Sequence, residues 1–266
     1  MLTLNKVYAI ANQKGGVGKT TTCVNLAASL VATKKRVLLI DLDPQGNATM
    51  GSGIDKAELE LSIYDVLVGN CSASDAVTPS PSGKYDVLPA NGDLTAAEVE
   101  MLSLDHKERR LHDAIESVRG SYDYVVIDCP PSLNMLTLNA LATCDGVIIP
   151  MQCEYYALEG LSALINTINQ IQQVLNPRLK IEGILRTMYD PRSSLTVDVS
   201  NQLSDYFGDK LYRTCVPRNV RLAEAPSFGQ PALVYDRQSK GAIAYLALAG
   251  ELIRRNEAEA KQAAEA

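Results

Sequence analysis

The chain has 266 residues, of which 46% are hydrophobic, and this is enough for one large α/β domain with a buried core. A net charge of −6 argues against nucleic acid as a partner of the chain as a whole, and six cysteines without a C-x-x-C pair argue against a metal or redox centre. Because no signal peptide and no apolar run of about 20 residues is visible, we expect a cytoplasmic protein without a membrane span.

Short β-rich runs alternate with longer helical patterns along the chain. This alternation is typical of an α/β fold with a mostly parallel, twisted sheet of about seven or eight strands and helices on both faces. Several runs are continuously apolar, as expected for strands that are buried on both faces. The predicted strands are Lys6–Ala11, Arg36–Asp41, Tyr85–Leu88, Tyr124–Asp128, Gly146–Pro150, Ile181–Met188 and Leu211–Val216.

A glycine-rich loop follows the first predicted strand and leads into a helical pattern. Its backbone N–H groups can cradle phosphate oxygens, and the following helix adds the positive end of its dipole. We expect Lys19 to reach the β- and γ-phosphates and the Thr20 hydroxyl to ligate Mg²⁺. The sequence therefore predicts a P-loop NTPase that binds ATP through Lys14, Gly15, Gly16, Val17, Gly18, Lys19, Thr20 and Thr21.

The loop departs from the usual motif G-x-x-x-x-G-K-[ST] at its start. Gln13 stands where the first glycine is expected, and an additional lysine, Lys14, opens the loop. A nucleotide that is already held by Lys19 does not need a second cation. Lys14 is therefore either a solvated lysine or a cation that contacts phosphate from a different direction, including that of a facing subunit.

Two further predicted strands end in aspartate. Asp41 and Asp43 follow the run Arg36–Ile40, and Asp128 follows the run Tyr124–Ile127. Ligands of an open parallel sheet lie at the carboxyl ends of its strands, which places these carboxylates beside the phosphate loop. Carboxylates there can hold Mg²⁺ or its waters, and one of them can position an attacking water for phosphoryl transfer.

Positive charge is concentrated late in the chain. Residues 178–240 carry ten basic and seven acidic side chains, a net of +3, whereas residues 1–177 carry 12 and 20, a net of −8. A basic segment of this kind is either a local phosphate-binding patch or an ordinary solvated surface.

The domain organisation is predicted to be simple. Residues 1–255 are expected to form a single P-loop ATPase domain, and residues 256–266 an Ala/Glu-rich tail that continues the last helix. The stretch Ser72–Gly83, rich in Ser and Pro, is predicted to be a surface loop inside the domain. The tail lacks the apolar face and basic excess of a membrane-targeting helix, so no membrane partner is expected.

These segments resemble the ParA/MinD family of ATPases. Lys14–Thr21, Asp41–Gly46 and Asp128–Pro131 look like its deviant Walker A, Walker A′ and Walker B elements. Four later segments resemble the chromosomal ParA (Soj) branch of that family: Gln152–Gly160, Pro217–Leu222, Glu224–Ser227 and Tyr235–Asp236. The resemblance covers nearly the whole chain.

The resemblance implies roles for individual residues. Lys14 would contact the ATP of the partner subunit in a nucleotide-sandwich homodimer, and Asp43 would orient the hydrolytic water. The implied catalytic residues are therefore Lys14, Lys19 and Asp43. Pro217 and Asn219 would frame the adenine.

The resemblance also implies how the cofactors are held. Mg²⁺ would be bound directly by Thr20, and through water by Asp41 and Asp128. The implied activity is Mg²⁺-dependent hydrolysis of ATP to ADP and phosphate, slow in the isolated protein and stimulated by a partner.

The implied biological role is chromosome or plasmid partition. In this family the ATP-bound homodimer binds double-stranded DNA without sequence preference at the nucleoid, and a ParB-type centromere-binding partner stimulates hydrolysis and releases the DNA. Arg192 and Arg221 match positions of DNA-contacting arginines in the Soj branch. Arg186 stands where a predicted strand calls for an apolar residue, either as an extra DNA-facing cation or as a neutralised group at a dimer seam.

Other readings of the same motifs remain open. The main alternative is a ParA-like positioning ATPase that distributes another cytoplasmic or membrane-associated cargo. The C-terminal tail argues against a membrane-binding ATPase of the MinD type. The cysteines lack the glycine-rich context expected of cluster ligands, which argues against an enzyme of the nitrogenase-reductase type. Since only about five residues precede the first strand, we do not expect an N-terminal helix-turn-helix or operator-specific repression.

Overall fold

The computed structural model describes residues 5–155 and 157–265. Residues 1–4 of the predicted domain, Tyr156 of the segment Gln152–Gly160 and Ala266 of the predicted tail lie outside the described residues. The described strands are β1 (Lys6–Ile10), β2 (Val37–Asp41), β3 (Thr78–Pro79), β4 (Asp86–Leu88), β5 (Tyr124–Asp128), β6 (Gly146–Gln152), β7 (Lys180–Tyr189) and β8 (Leu211–Pro217).

These strands form one sheet in the order β3-β4-β2-β5-β1-β6-β7-β8. All neighbours pair in parallel except β3, which is antiparallel to β4. The predicted α/β fold is thereby confirmed. Because β1 lies near the centre, between β5 and β6, the loop that follows it opens at the middle of the carboxyl edge of the sheet.

Helices connect the strands and cover the sheet. The α-helices of the described residues are α1 (Lys19–Ala32), α2 (Asn47–Gly51), α3 (Ile63–Val68), α4 (Ala73–Ala76), α5 (Leu94–Glu100), α6 (Arg110–Arg119), α7 (Met135–Thr143), α8 (Ala157–Val174), α9 (Ser194–Phe207), α10 (Val220–Glu224), α11 (Ala232–Tyr235) and α12 (Lys240–Glu265). Short 3₁₀ turns span Met101–Ser103, Lys107–Arg109, Gly208–Lys210 and Ala225–Phe228.

The core consists of two apolar layers, one on each face of the sheet. Alternate residues of β1 divide between them: Val7 and Ala9 face one layer, and Tyr8 and Ile10 face the other. The second layer contains four fully buried side chains of α1: Cys23, Leu26, Ala27 and Leu30. Burial on both faces explains why the central strands are continuously apolar.

One segment differs from the prediction. The stretch Ser72–Gly83 is not a plain loop, since it contains α4 and β3. With two residues, β3 is too short to show a period-2 pattern, and Pro79 is tolerated there because β3 is an edge strand. The predicted start of the tail falls inside α12, where Asn256 is fully buried.

The burial of Asn256 has a clear cause. Its side-chain oxygen accepts a hydrogen bond from the Tyr8 hydroxyl at 2.7 Å, and its amide donates to the Tyr124 hydroxyl at 3.3 Å. These bonds fasten α12 to β1 and β5, so the helix belongs to the core past residue 255. No helix in the described part of the chain combines the length and apolar character that crossing a membrane would require.

Candidate functional site

The glycine-rich loop joins β1 to α1 at the carboxyl edge of the sheet. Gly16 and Gly18 have φ values of 74° and 88°, in the left-handed region that favours glycine. Gly18 directly precedes the first turn of α1, which begins at Lys19. The backbone therefore turns sharply into the helix, and the free N–H groups of its first turn face the loop.

The two lysines of the loop have different surroundings. Lys19 is 8% exposed, and its ammonium donates to the main-chain carbonyl of Lys14 at 3.3 Å, so it lies across the loop. The Lys14 side chain is half exposed, and its ammonium pairs with the Glu154 carboxylate at 2.6 Å. Lys19 thus points into its own loop, whereas Lys14 points away from it toward the segment after β6.

Asp41 and Asp128 lie side by side at the ends of two neighbouring strands. The register of β2 against β5 pairs them, and both are fully buried. One oxygen of Asp41 accepts hydrogen bonds from the main-chain N–H and the hydroxyl of Thr49, both at 2.8 Å. The other accepts from the main-chain N–H of Asp43 at 3.1 Å.

Asp128 is less completely satisfied than its neighbour. Its Oδ1 accepts a hydrogen bond from the Cys23 thiol at 3.3 Å, whereas its buried Oδ2 has no hydrogen-bond partner among the described residues. Burial and the adjacent Asp41 carboxylate raise the pKa of Asp128, and the nearby Thr20 side chain lowers it. Burial likewise raises the pKa of Asp41, against the hydrogen bonds from Thr49.

This arrangement fits a magnesium ion. Two neighbouring buried carboxylates are costly when both are charged, and a divalent cation offsets that cost. The described residues contain no group of three or more His, Cys, Asp or Glu side chains that could hold a metal. Magnesium commonly keeps several waters and binds through few protein groups plus substrate phosphates, and Thr20, Asp41 and Asp128 match that pattern.

Asp43 lies two residues beyond Asp41 and is half-buried. Its carboxylate accepts the main-chain N–H of Gln45 at 3.0 Å, and its carbonyl accepts the N–H of Gly46 at 2.8 Å. Gly46 has a φ of 61°, and a Cβ there would meet the Ala90 carbonyl oxygen at 2.6 Å. Glycine is therefore required at this position, and the turn holds Asp43 at the carboxyl edge of the sheet.

The two residues predicted to frame adenine lie at the end of β8 and just beyond it. Pro217 ends that strand, and Asn219 directly precedes α10. The side-chain oxygen of Asn219 is buried and has no hydrogen-bond partner among the described residues. A buried acceptor of this kind is a group that a ligand donor can satisfy.

The two predicted DNA-contacting arginines lie near the ends of β7 and β8. Arg192 is highly exposed, with an 88% exposed side chain, and pairs with Asp190 at 2.8 Å. Arg221 is half exposed and pairs with Glu224 at 2.8 Å and with Asp236 at 3.3 Å. Both guanidinium groups are therefore accessible, and both are already paired within the chain.

Arg186 is used inside the molecule. Its guanidinium donates to the Ser200 hydroxyl and to the Tyr212 carbonyl, each at 2.8 Å, and lies 5.6 Å from the centre of the Tyr189 ring. It thereby ties β7 to α9 and β8. The Nε of the same guanidinium is buried and has no hydrogen-bond partner among the described residues.

Several residues of the site were not predicted. Thr49 holds Asp41, Cys23 contacts Asp128, and Glu154 pairs with Lys14. Thr49 and Cys23 carry no local signal, because a threonine or cysteine in an ordinary helical pattern indicates no partner. Glu154 lies in a segment that the family resemblance singled out, but its contact with Lys14 joins positions 140 residues apart.

A mostly parallel sheet whose first strand leads through this loop into a helix, with aspartates ending two adjacent strands, defines a P-loop NTPase. The AAA domain family matches residues 5–181. The sporulation initiation inhibitor protein Soj of Bacillus subtilis is 53% identical over 94% of this chain and 98% of that protein. The chain belongs to the ParA/Soj family of chromosome-partitioning ATPases.

Another relative and two solved structures are also similar to this chain over most of its length. The chromosome partitioning protein ParA of Myxococcus xanthus is 51% identical over 96% of this chain and 90% of that protein. Cobyrinic acid a,c-diamide synthase from Mycobacterium smegmatis, with bound ATP analogue and magnesium, has a TM-score of 0.83 and 40% identity over 94% of both chains. The septum site-determining protein MinD of Pyrococcus horikoshii, complexed with Mg-ADP, has a TM-score of 0.78 and 26% identity over 93% of this chain and 95% of that chain.

Proposed function

We propose that this protein is an ATP-switched DNA-binding ATPase of chromosome or plasmid partition. In its ATP state two chains pair face to face and bind double-stranded DNA without sequence preference. A ParB-type centromere-binding protein stimulates hydrolysis, and the DNA is released. This role is supported by the relatives whose names refer to Soj or to chromosome partitioning. A protein in this role acts at the nucleoid, in the cytoplasm.

The proposed dimer is supported by the different surroundings of Lys19 and Lys14. Lys19 is buried across its own loop, as a lysine that serves the chain's own nucleotide requires. Lys14 is half exposed and pairs with a half-exposed carboxylate. A phosphate of a nucleotide held by a facing subunit is a stronger partner for that ammonium than Glu154 is, because it carries more charge.

Hydrolysis is assigned to the carboxyl edge of the sheet. Lys19 and the loop N–H groups hold the β- and γ-phosphates, and Asp43 orients the attacking water. Thr20, Asp41 and Asp128 are the residues that would hold Mg²⁺, Thr20 directly and the two aspartates through water. An ion held there would supply positive charge that offsets the negative charge of the phosphates.

The adenine and the DNA are assigned to the segment after β8. Asn219 accepts a hydrogen bond from the base through its buried, unpartnered oxygen, and Pro217 packs against the ring. Arg221 is two residues further along, and Arg192 follows β7, which pairs Tyr189 with Pro217 at the end of β8. DNA phosphates replace the carboxylates that pair with these arginines, which requires only a local basic patch on an otherwise acidic protein.

DNA binding by the purified protein tests this function. Binding to duplexes of unrelated sequence should require ATP and should weaken steeply as salt rises, because counterions are released from the DNA. Equal binding with and without nucleotide would contradict the switch. An ATP-dependent dimer that binds no DNA would instead favour the alternative, a ParA-like ATPase that positions another cargo.

A further inference from the structure

One hydrogen bond joins the phosphate loop to a distant strand. The Thr187 hydroxyl, on β7, donates to the main-chain carbonyl of Val17 at 2.8 Å, across 170 positions of the chain. Thr187 is 3% exposed and Val17 is 1% exposed. Because water is excluded there, breaking this bond would leave a buried carbonyl without a partner.

The geometry of the peptide bond gives this contact a consequence for the loop. The carbonyl of Val17 and the N–H of Gly18 belong to one planar trans peptide, so they point in opposite directions. Since Thr187 holds the carbonyl toward β7, the Gly18 N–H is aimed away from β7. Gly18 has a φ of 88° and no side chain, and the Thr187 methyl lies 3.8 Å from where its Cβ would be.

The strand is distorted at this point. Met188, the next residue, has a φ of 48°, a backbone conformation that is unfavourable for residues other than glycine. The register of β7 against β8 also shifts between Arg186 and Tyr189. Irregularities of this kind re-aim side chains beside functional sites. The distortion is therefore consistent with a strand shaped to present Thr187 to the loop.

We propose that Thr187 is a positioning residue for ATP binding. Its hydroxyl fixes the Val17–Gly18 peptide so that the Gly18 N–H faces the phosphate oxygens. Without this bond the peptide can rotate, and one phosphate donor of the cradle is lost. The inference rests on the proposed binding of ATP by this loop.

The test is a set of conservative substitutions, with the affinity for a fluorescent ATP analogue and the melting temperature of the nucleotide-free protein as readouts. Thr187→Val keeps the shape and removes the donor, and we expect it to weaken nucleotide binding about tenfold. Thr187→Ser keeps the hydroxyl and should bind like the unaltered protein. Thr187→Ala removes the same bond with less crowding and replaces the valine variant if that variant does not fold.

Thr143 offers a matched control. It is also buried, and its hydroxyl donates to the Asn139 carbonyl within α7 at 2.7 Å, away from the loop. Thr143→Val also removes a buried hydroxyl donor, and it should leave ATP affinity unchanged whatever its effect on the melting temperature. Unchanged affinity in Thr187→Val, or an equal loss in Thr143→Val or Thr187→Ser, would overturn the role of Thr187. Absence of ATP binding by the unaltered protein would overturn the proposed function itself.

Discussion

The ammonium of Lys14 lies 2.6 Å from a carboxylate oxygen of Glu154, so the lysine that distinguishes this loop is paired within its own chain. Both side chains are about half exposed. Exposed ion pairs of this kind contribute roughly 0.2–1 kcal/mol, since water and salt screen them. The pair can therefore orient Lys14 without preventing it from moving to a phosphate.

Glu154→Gln should strengthen the ATP-dependent dimer a few-fold. Each subunit then no longer has to break an ion pair of at most about 1 kcal/mol before its lysine reaches the facing nucleotide. Sedimentation in ATP, in an Asp43→Ala background to limit hydrolysis, measures the dimer affinity. Glu259→Gln removes a similarly exposed carboxylate, paired with Lys180, and serves as the control. A weaker dimer in Glu154→Gln would show that the carboxylate itself takes part in the interface.

The sequence predicted the parts of the site whose signals are local. A strand, glycines and a helix in succession identify the phosphate loop, and Asp41 and Asp128 were identified because each ends an apolar strand. The parallel topology then brings them together, since the carboxyl ends of parallel strands share one edge. The same reasoning predicted the sheet, because its central strands are long apolar runs.

The contacts that hold these groups in place could not be predicted. Thr187 and Val17 are 170 positions apart, and Glu154 and Lys14 are 140 apart, so each contact depends on the path of the whole chain. Thr49 is only eight residues from Asp41, but a threonine in a short helix has no pattern that names its partner. Such contacts follow from tertiary packing rather than from local sequence.

Asp43→Ala should slow ATP hydrolysis strongly and prolong the DNA-bound state. The substitution removes the carboxylate proposed to orient water and leaves the phosphate loop intact. Phosphate release and the lifetime of the DNA complex are the two measurements. Asp55→Ala is the control. The Asp55 carboxylate also accepts a hydrogen bond from the main-chain N–H two residues later, that of Ala57 at 2.9 Å, but Asp55 lies outside the proposed catalytic site. Parent-like turnover in Asp43→Ala would remove Asp43 from the mechanism.

Arg192→Glu and Arg221→Glu should each abolish DNA binding while leaving the ATP dimer intact. Each change reverses a charge at the proposed phosphate contacts, so attraction to the DNA phosphates is replaced by repulsion. The control is Arg36→Glu, which reverses the charge of another exposed arginine, paired with Asp123 beside the amino end of β2. DNA binding that survives either substitution would place the DNA surface elsewhere.

Substitution of the two lysines of the phosphate loop should affect different steps, ATP binding for Lys19 and dimer formation for Lys14. Lys19→Ala should weaken ATP binding by about 10- to 100-fold, because a charge-assisted contact to phosphate is lost. Lys14→Ala should leave ATP binding by the monomer nearly unchanged and reduce dimer formation. Calorimetry at low protein concentration and sedimentation at high concentration distinguish the two. Equal losses of monomer affinity would contradict the assignment of Lys14 to the facing subunit.

The buried pair Asp41 and Asp128 should make the stability of the nucleotide-free protein depend on pH. Burial and mutual repulsion raise the pKa of Asp128, and burial raises that of Asp41, so the folded state holds protons that the unfolded chain releases. Stability from these groups is therefore complete below the ordinary aspartate pKa of about 4 and is lost as the pH rises above it.

Asp128→Asn removes one of these charges and should raise the melting temperature of the nucleotide-free protein by a few degrees at pH 8, with little effect near pH 4. The exposed Asp55→Asn should show no such pH-dependent gain. With Mg²⁺ and ATP present the order should reverse, because the unaltered protein gains stability from ligand binding that the variant lacks. Thermal unfolding at both pH values, with and without Mg²⁺ and ATP, measures all four cases. If Asp128→Asn is instead less stable than the parent at pH 8 without nucleotide, the charged Asp128 carboxylate does not destabilise the folded protein, and the prediction is wrong.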